Sequence, residues 1–216
     1  YDPFIDLLKT ESLTDWNRGS VSYIASPYFS HGLYKIYSSL KPKKVVVVLR
    51  QAFQVAVSLY NKGWYLDEVL LNNNQTEEFI PAQFAGEESH YYGRYINIDI
   101  DIPVFNSLTR LGKIAAYMSS TLDAIAMSLH NIPKEQIYLF CLEKHDQNYD
   151  AYIDMMSKLD LTPELSKRKF LSLKKRTSAS FENTIPDFSK KELEEFRNQI
   201  SLYNKRYSEL INCYSD

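Results

Sequence analysis

Arg50 follows directly on the run Val45-Val46-Val47-Val48-Leu49, and Ser58 comes after it with seven residues between. A guanidinium presents a planar fork of N–H donors that matches a phosphate, and a serine one or two helical turns into the next element adds a hydroxyl to the same anion. The pair therefore suggests an anion site. The competing, purely structural reading has Arg50 paired with a carboxylate at a sheet edge and Ser58 tolerated at a helix-helix contact. Two other groups carry chemistry. Lys174-Lys175-Arg176 is a basic run suited to an anion or simply to solvent. Trp64, Tyr65, His90, Tyr91, Tyr92 and Tyr95 offer aromatic faces with adjacent polar groups, which suit sugars or phenols, with core packing as the alternative.

The elements that would position these residues are legible as a pattern. Val45 to Leu49 is β-branched on nearly every position, as in a strand covered on both faces of a parallel sheet. Before it, 27–40 places Leu33, Ile36, Tyr37 and Leu40 at helical spacing, closed by Lys41-Pro42-Lys43. After it, Ala56, Val57 and Tyr60 form a helical stripe. A second unit repeats the alternation: an amphipathic helix from Leu108 to Leu129, preceded by Ser107, then a buried strand over 136–142 (QIYLFCL), then a helix capped by Asp146 with Tyr149, Tyr152, Ile153, Met156 and Leu159 on its apolar face. Strands alternating with helices predict an α/β fold with a parallel sheet. Ser189 and Glu192 form a capping box, and Phe188 and Leu193 stand at staple positions. One C-terminal helix with Leu193, Phe196, Ile200, Tyr203, Tyr207 and Leu210 inward is expected. INIDIDI, 96–102, alternates as an edge strand or hairpin arm would.

With 216 residues, 44% of them hydrophobic and 24% charged, the chain has the composition of one globular domain. A net charge of −2 gives no global basic field, which argues against a nucleic-acid partner gripped through its phosphates. Two cysteines, Cys141 and Cys213, suit a reducing compartment, and no metal-ligand spacing is present. No apolar run approaches the roughly 18 residues of a spanning helix, and the first residues do not read as a signal peptide. A cytoplasmic protein is the expectation, with a Golgi-lumen or membrane-anchored origin left open.

PKKVVVVLRQAFQVAVSLYN resembles the 3′-phosphate-binding signature of the sulfotransferase family, in which a strand leads to Leu-Arg, a short turn, and a helix bearing Ser and Tyr. SPYFSHGLYKIYSSLKP resembles the segment before that strand in bacterial and Golgi-type members. IPKEQIYLFCLEKH mirrors the family's FPREQILVLRYEDL-like segment, KLDLTPE resembles its KFLGL close, and FRNQISLYNKRYSELI resembles its last helix. The series runs in order from about Ser26 to Ile211.

The resemblance implies a single domain over 1–216 with a fold similar to P-loop kinases, a parallel sheet flanked by helices, and a variable acceptor-side insert over 64–106. It implies binding of 3′-phosphoadenosine 5′-phosphosulfate, without a metal, and in-line transfer of its sulfuryl group to a hydroxyl or amine of a carbohydrate or small-metabolite acceptor. Arg50 and Ser58 would hold the 3′-phosphate, and Lys174, Lys175 and Arg176 would stand in the family's late basic loop over the same nucleotide. Trp64, His90, Tyr91 and Tyr92 would face the acceptor. His31, and Asp2 at the place of a family glutamate, are the candidates for the general base.

One departure is plain. The family's 5′-phosphosulfate loop, a PKSGTT-like turn whose amides and lysine neutralise the leaving group, should precede all these segments and is not in the sequence. Tyr1-Asp2-Pro3-Phe4 resembles the KEPHFF-like segment that follows that loop and its helix, so the sequence is expected to begin just after it. Two further readings stay open: a non-catalytic nucleotide-binding or interaction module, and another P-loop-like phosphotransferase.

Overall fold

The structure, a computed structural model, describes residues 30, 32–65, 101–145, 148–177 and 185–214, with the side chains of Ile102 and of 173–177 outside that description. Asp2, His31, His90, Tyr91 and Tyr92 lie outside the described residues, as does most of the 64–106 insert.

Helix α1, Leu33–Leu40, turns its Leu33 and Tyr37 onto the core and ends where Lys41 adopts a left-handed conformation (φ 49°) before Pro42. Strand β1, Val45–Leu49, leads through Arg50 and Gln51 into helix α2, Ala52–Asn61. Past the insert come the short helix α3, Ile102–Ser107, and the central helix α4, Arg110–Leu129. A 3-10 turn at Lys134–Gln136 opens strand β2, Ile137–Cys141. The one-turn helix α5, Leu142–His145, follows, then α6, Tyr149–Lys158, and α7, Lys167–Thr177. Helices α8, Lys190–Gln199, and α9, Ser201–Tyr214, complete the order.

The fold is α/β, mostly helical. Among the described residues the sheet is two-stranded and parallel, with Val45 opposite Ile137 and Leu49 opposite Cys141. A two-stranded sheet is marginal alone. Here α4 supplies the missing support: Leu111, Ile114 and Leu129 are fully buried in one core with Val45, Val47 and Leu49, and the helix packs against α2, α8 and α9. Each such side chain contributes about 1.5–3 kcal/mol of burial.

The expectation that both faces of β1 are covered is corrected. Val45, Val47 and Leu49 are buried, but Val46 is 36% and Val48 61% exposed. The core helices pack on one face, and on the other α6 covers Tyr138 of β2 without reaching Val48. β-branching at consecutive positions reports strand propensity as well as burial, and here propensity explains the outer valines.

Three other expectations are corrected at element ends. The cap of α6 is Asn148, whose side chain accepts from the amides of Asp150 and Ala151, in place of Asp146. Ile102, read as the end of a strand, begins α3, and Thr109 caps α4. The single C-terminal helix is two, broken at Ile200. Ser119 on α4 donates to the carbonyl of Gln199 at 2.7 Å, so a tertiary contact takes an acceptor at the break.

The α4–α8 junction depends on Gly112. A Cβ there would lie 2.7 Å from Glu195 Oε2, and that carboxylate accepts from both the amide and the hydroxyl of Thr109 at 2.6 Å. At the other end of the same corner, the Arg110 guanidinium lies 3.8 Å from the Tyr60 ring centroid, and Arg110 donates to the carbonyls of Tyr60 and Trp64. These bonds join the end of α2 to the start of α4. No helix among the described residues is long and apolar enough to cross a membrane.

Candidate functional site

Parallel pairing brings the carboxyl ends of β1 and β2 side by side, the place where open α/β sheets bind ligands. Arg50 leaves β1 there, half-buried. Its Nε donates to Gln54 Oε1 at 3.0 Å. Gln54 and Ser58 are four residues apart on α2, about 40° round the helix, so they share a face. That face lies away from the buried pair Ala56 and Val57. Ser58 is half-buried and stands one turn beyond Gln54.

The backbone of the β1–α2 turn is held from two sides. Tyr203 on α9 donates its hydroxyl to the carbonyl of Arg50 at 2.5 Å. Glu143, two residues past the end of β2, accepts the amide of Gln51 at 2.5 Å through one oxygen and the hydroxyl of Tyr207 at 3.3 Å through the other. The rings of Tyr203 and Tyr207 stack with centroids 6.3 Å apart. Burial pushes the Tyr207 phenol up to about 12, helped by the Glu143 carboxylate, and burial raises Tyr203 in the same direction. Both phenols therefore stay protonated as donors across the neutral range.

The electrostatics of this corner are mixed. Glu143 places a negative charge on the amide of Gln51 at the N-terminus of α2, the position where a bound anion would otherwise gain from the helix dipole. An anion at this corner would depend on side-chain donors such as the Arg50 guanidinium instead. A groove of about 300 Å³ opens between the start of α2 and helices α8 and α9, lined by Gln51, Phe53, Phe196, Asn204 and Tyr207 among others but by neither Arg50 nor Ser58. Phe53, 38% exposed, packs edge-on against Phe188 and Phe196 at its base.

The other sequence candidates are placed as follows. Trp64 is 6% exposed, its ring 4.8 Å from that of Tyr117, within the core. Lys174, Lys175 and Arg176 lie in the last turns of helix α7, where a loop had been expected, and their side chains are outside the description. Gln54, Glu143, Tyr203 and Tyr207 were not singled out from sequence. Gln54 was within reach, because Arg50, Gln54 and Ser58 recur every fourth residue. Cys141 and His145 sit near the strand end in a structural role: His145 Nδ1 lies 2.8 Å from both the amide nitrogen and the carbonyl oxygen of Cys141, and its ring stacks on Phe140.

Compared with known proteins, the chain finds no match: no family model, no curated protein and no solved structure.

Proposed function

We propose that the protein binds 3′-phosphoadenosine 5′-phosphosulfate through a 3′-phosphate site at Arg50 and Ser58 and passes the sulfuryl group to a hydroxylated acceptor. The observation that carries this reading is the Arg50–Gln54 bond at the carboxyl end of β1, with Ser58 one turn beyond Gln54 on the same side of α2, within the sequence VVVVLRQAFQVAVSLYN. Gln54 engages Nε and so sets the plane of the guanidinium, with the terminal nitrogens left as donors to phosphate oxygens. The Ser58 hydroxyl adds a neutral donor one turn further along.

In the transfer, the acceptor oxygen attacks sulfur, the bond from sulfur to the 5′-phosphate oxygen breaks, and its electron pair stays on that phosphate. The acceptor proton passes to a general base, for which His31 and Asp2 are the candidates. The product is 3′,5′-adenosine bisphosphate. In this proposal Lys174, Lys175 and Arg176 approach the same nucleotide, and His90, Tyr91 and Tyr92 face a carbohydrate or small-molecule acceptor.

A second reading keeps the nucleotide site without the transfer: a non-catalytic module that holds the 3′-phosphate at Arg50 and Ser58. Incubating the full-length protein with sulfur-labelled cofactor and a panel of hydroxylated acceptors separates the two. A labelled acceptor supports the enzyme; nucleotide binding with no acceptor ever labelled supports the module.

A further inference from the structure

Helix α7 reads KRKFLSLKKRT, six cations and no carboxylate in eleven residues, within a chain whose net charge is −2. One side of the helix is anchored. The Phe170 ring packs 5.7 Å from Tyr149 and 5.3 Å from Tyr152 on α6, which fixes how α7 is rotated. Leu171 is next in the chain, about 100° round the helix, and is 44% exposed. The neighbours of a helical position are those three and four residues away. For Leu171 the two on the preceding turn are Lys167 and Arg168, both cations. Lys167, Arg168 and Lys169 are exposed, and among the described residues no carboxylate forms an ion pair with them.

We propose that α7 docks the protein on an anionic lipid surface, with Leu171 entering the headgroup boundary and Lys167 and Arg168 beside it meeting lipid phosphates. The leucine decides the class of partner. A soluble polyanion such as a sulfated glycan or an oligonucleotide would use the cations and have no use for an apolar side chain beside them. A bilayer interface uses both, because it sets acyl carbon directly beneath a plane of negative charge. The binding is peripheral and reversible, since one leucine is a shallow anchor, and each cation near the surface multiplies partitioning by about fivefold.

The test is co-sedimentation of the 216-residue chain with vesicles of phosphatidylcholine alone and of phosphatidylcholine with roughly one-third phosphatidylserine. Binding is expected only to the anionic vesicles, falling as salt rises. A Lys167→Glu/Arg168→Glu double variant should lose it by more than about tenfold, and Leu171→Ala should weaken it by about threefold or more with the salt dependence unchanged. Circular dichroism confirms that each surface variant is folded. The proposal is overturned by equal binding to both vesicle types, by no binding to either, or by a Leu171→Ala variant that binds like the parent. It is also overturned if the double variant keeps its vesicle binding; a loss of affinity for 3′,5′-adenosine bisphosphate in that case would place α7 at the nucleotide.

Discussion

The hydroxyl of Tyr203 is bonded to the carbonyl oxygen of Arg50 across 153 positions of sequence, at 2.5 Å. The residue proposed to grip the ligand is therefore held at its backbone by the C-terminal helix. Removing this donor leaves a part-buried carbonyl without its partner, at a cost of about 1–2 kcal/mol. Tyr203→Phe should lower the urea midpoint accordingly and weaken nucleotide binding a few-fold by loosening the β1–α2 turn. Unchanged values of both would dissociate α9 from the site.

Tyr207 gives a pH signature at the same corner. Its phenol is raised to about 12 from an ordinary 10.0, by burial first and by Glu143 second. A raised folded value means that the stabilisation is fully present below pH 10 and is lost as pH climbs through about 12. Ultraviolet titration of Tyr207→Phe should lack one late-ionising phenol, and the variant should lose less stability than the parent over that interval. A tyrosine spectrum that titrates wholly near the ordinary value contradicts the packing described for α9.

The α4–α8 junction responds at the acid end. Burial alone would raise the Glu195 carboxyl, but the hydroxyl and amide of Thr109, with help from Lys191, outweigh it and hold the group below its ordinary 4.5. A lowered folded value contributes stability above about pH 4.5, and that stability is lost as pH falls through the folded value. Glu195→Gln should cost about 1 kcal/mol at neutral pH, the scale of a lost helix cap, and the gap from the parent should close in acid. A gap that is constant with pH would show that the charge plays no part.

The two faces of β1 should differ on substitution. Val47→Ala opens space against the core and should cost about 1–3 kcal/mol, whereas Val48→Thr changes an exposed position and should stay within about 0.5 kcal/mol. Chemical denaturation measures both. Similar losses at the two positions would mean that the outer face is covered after all.

Val45–Leu49 and Ile137–Cys141 were both legible as strands, and their parallel pairing followed from the helices between them, because β-branched runs and 3.6-residue stripes are local signals. The capping box of Ser189 and Glu192 was equally local and is present. The break at Ile200 was not legible: neither glycine nor proline marks it, and its partner Ser119 is 80 positions away. Glu143 shows the same limit at the site. Its place after β2 can be read from the sequence, but that its carboxylate reaches Gln51 depends on the register between the strands. Tyr203 and Tyr207 were assigned correctly to the inner side of the last helix, yet their hydroxyl partners follow only from how α9 crosses the strand ends.

In the proposed site Arg50 holds the 3′-phosphate of a nucleotide. Titration calorimetry of the full-length protein with 3′,5′-adenosine bisphosphate, alongside Arg50→Ala, tests it most directly. The parent should bind measurably and the variant should lose about 1.5–3 kcal/mol, roughly ten- to hundredfold in affinity, with 5′-adenosine monophosphate bound weakly and equally by both. Equal affinity of parent and variant for the bisphosphate would contradict it.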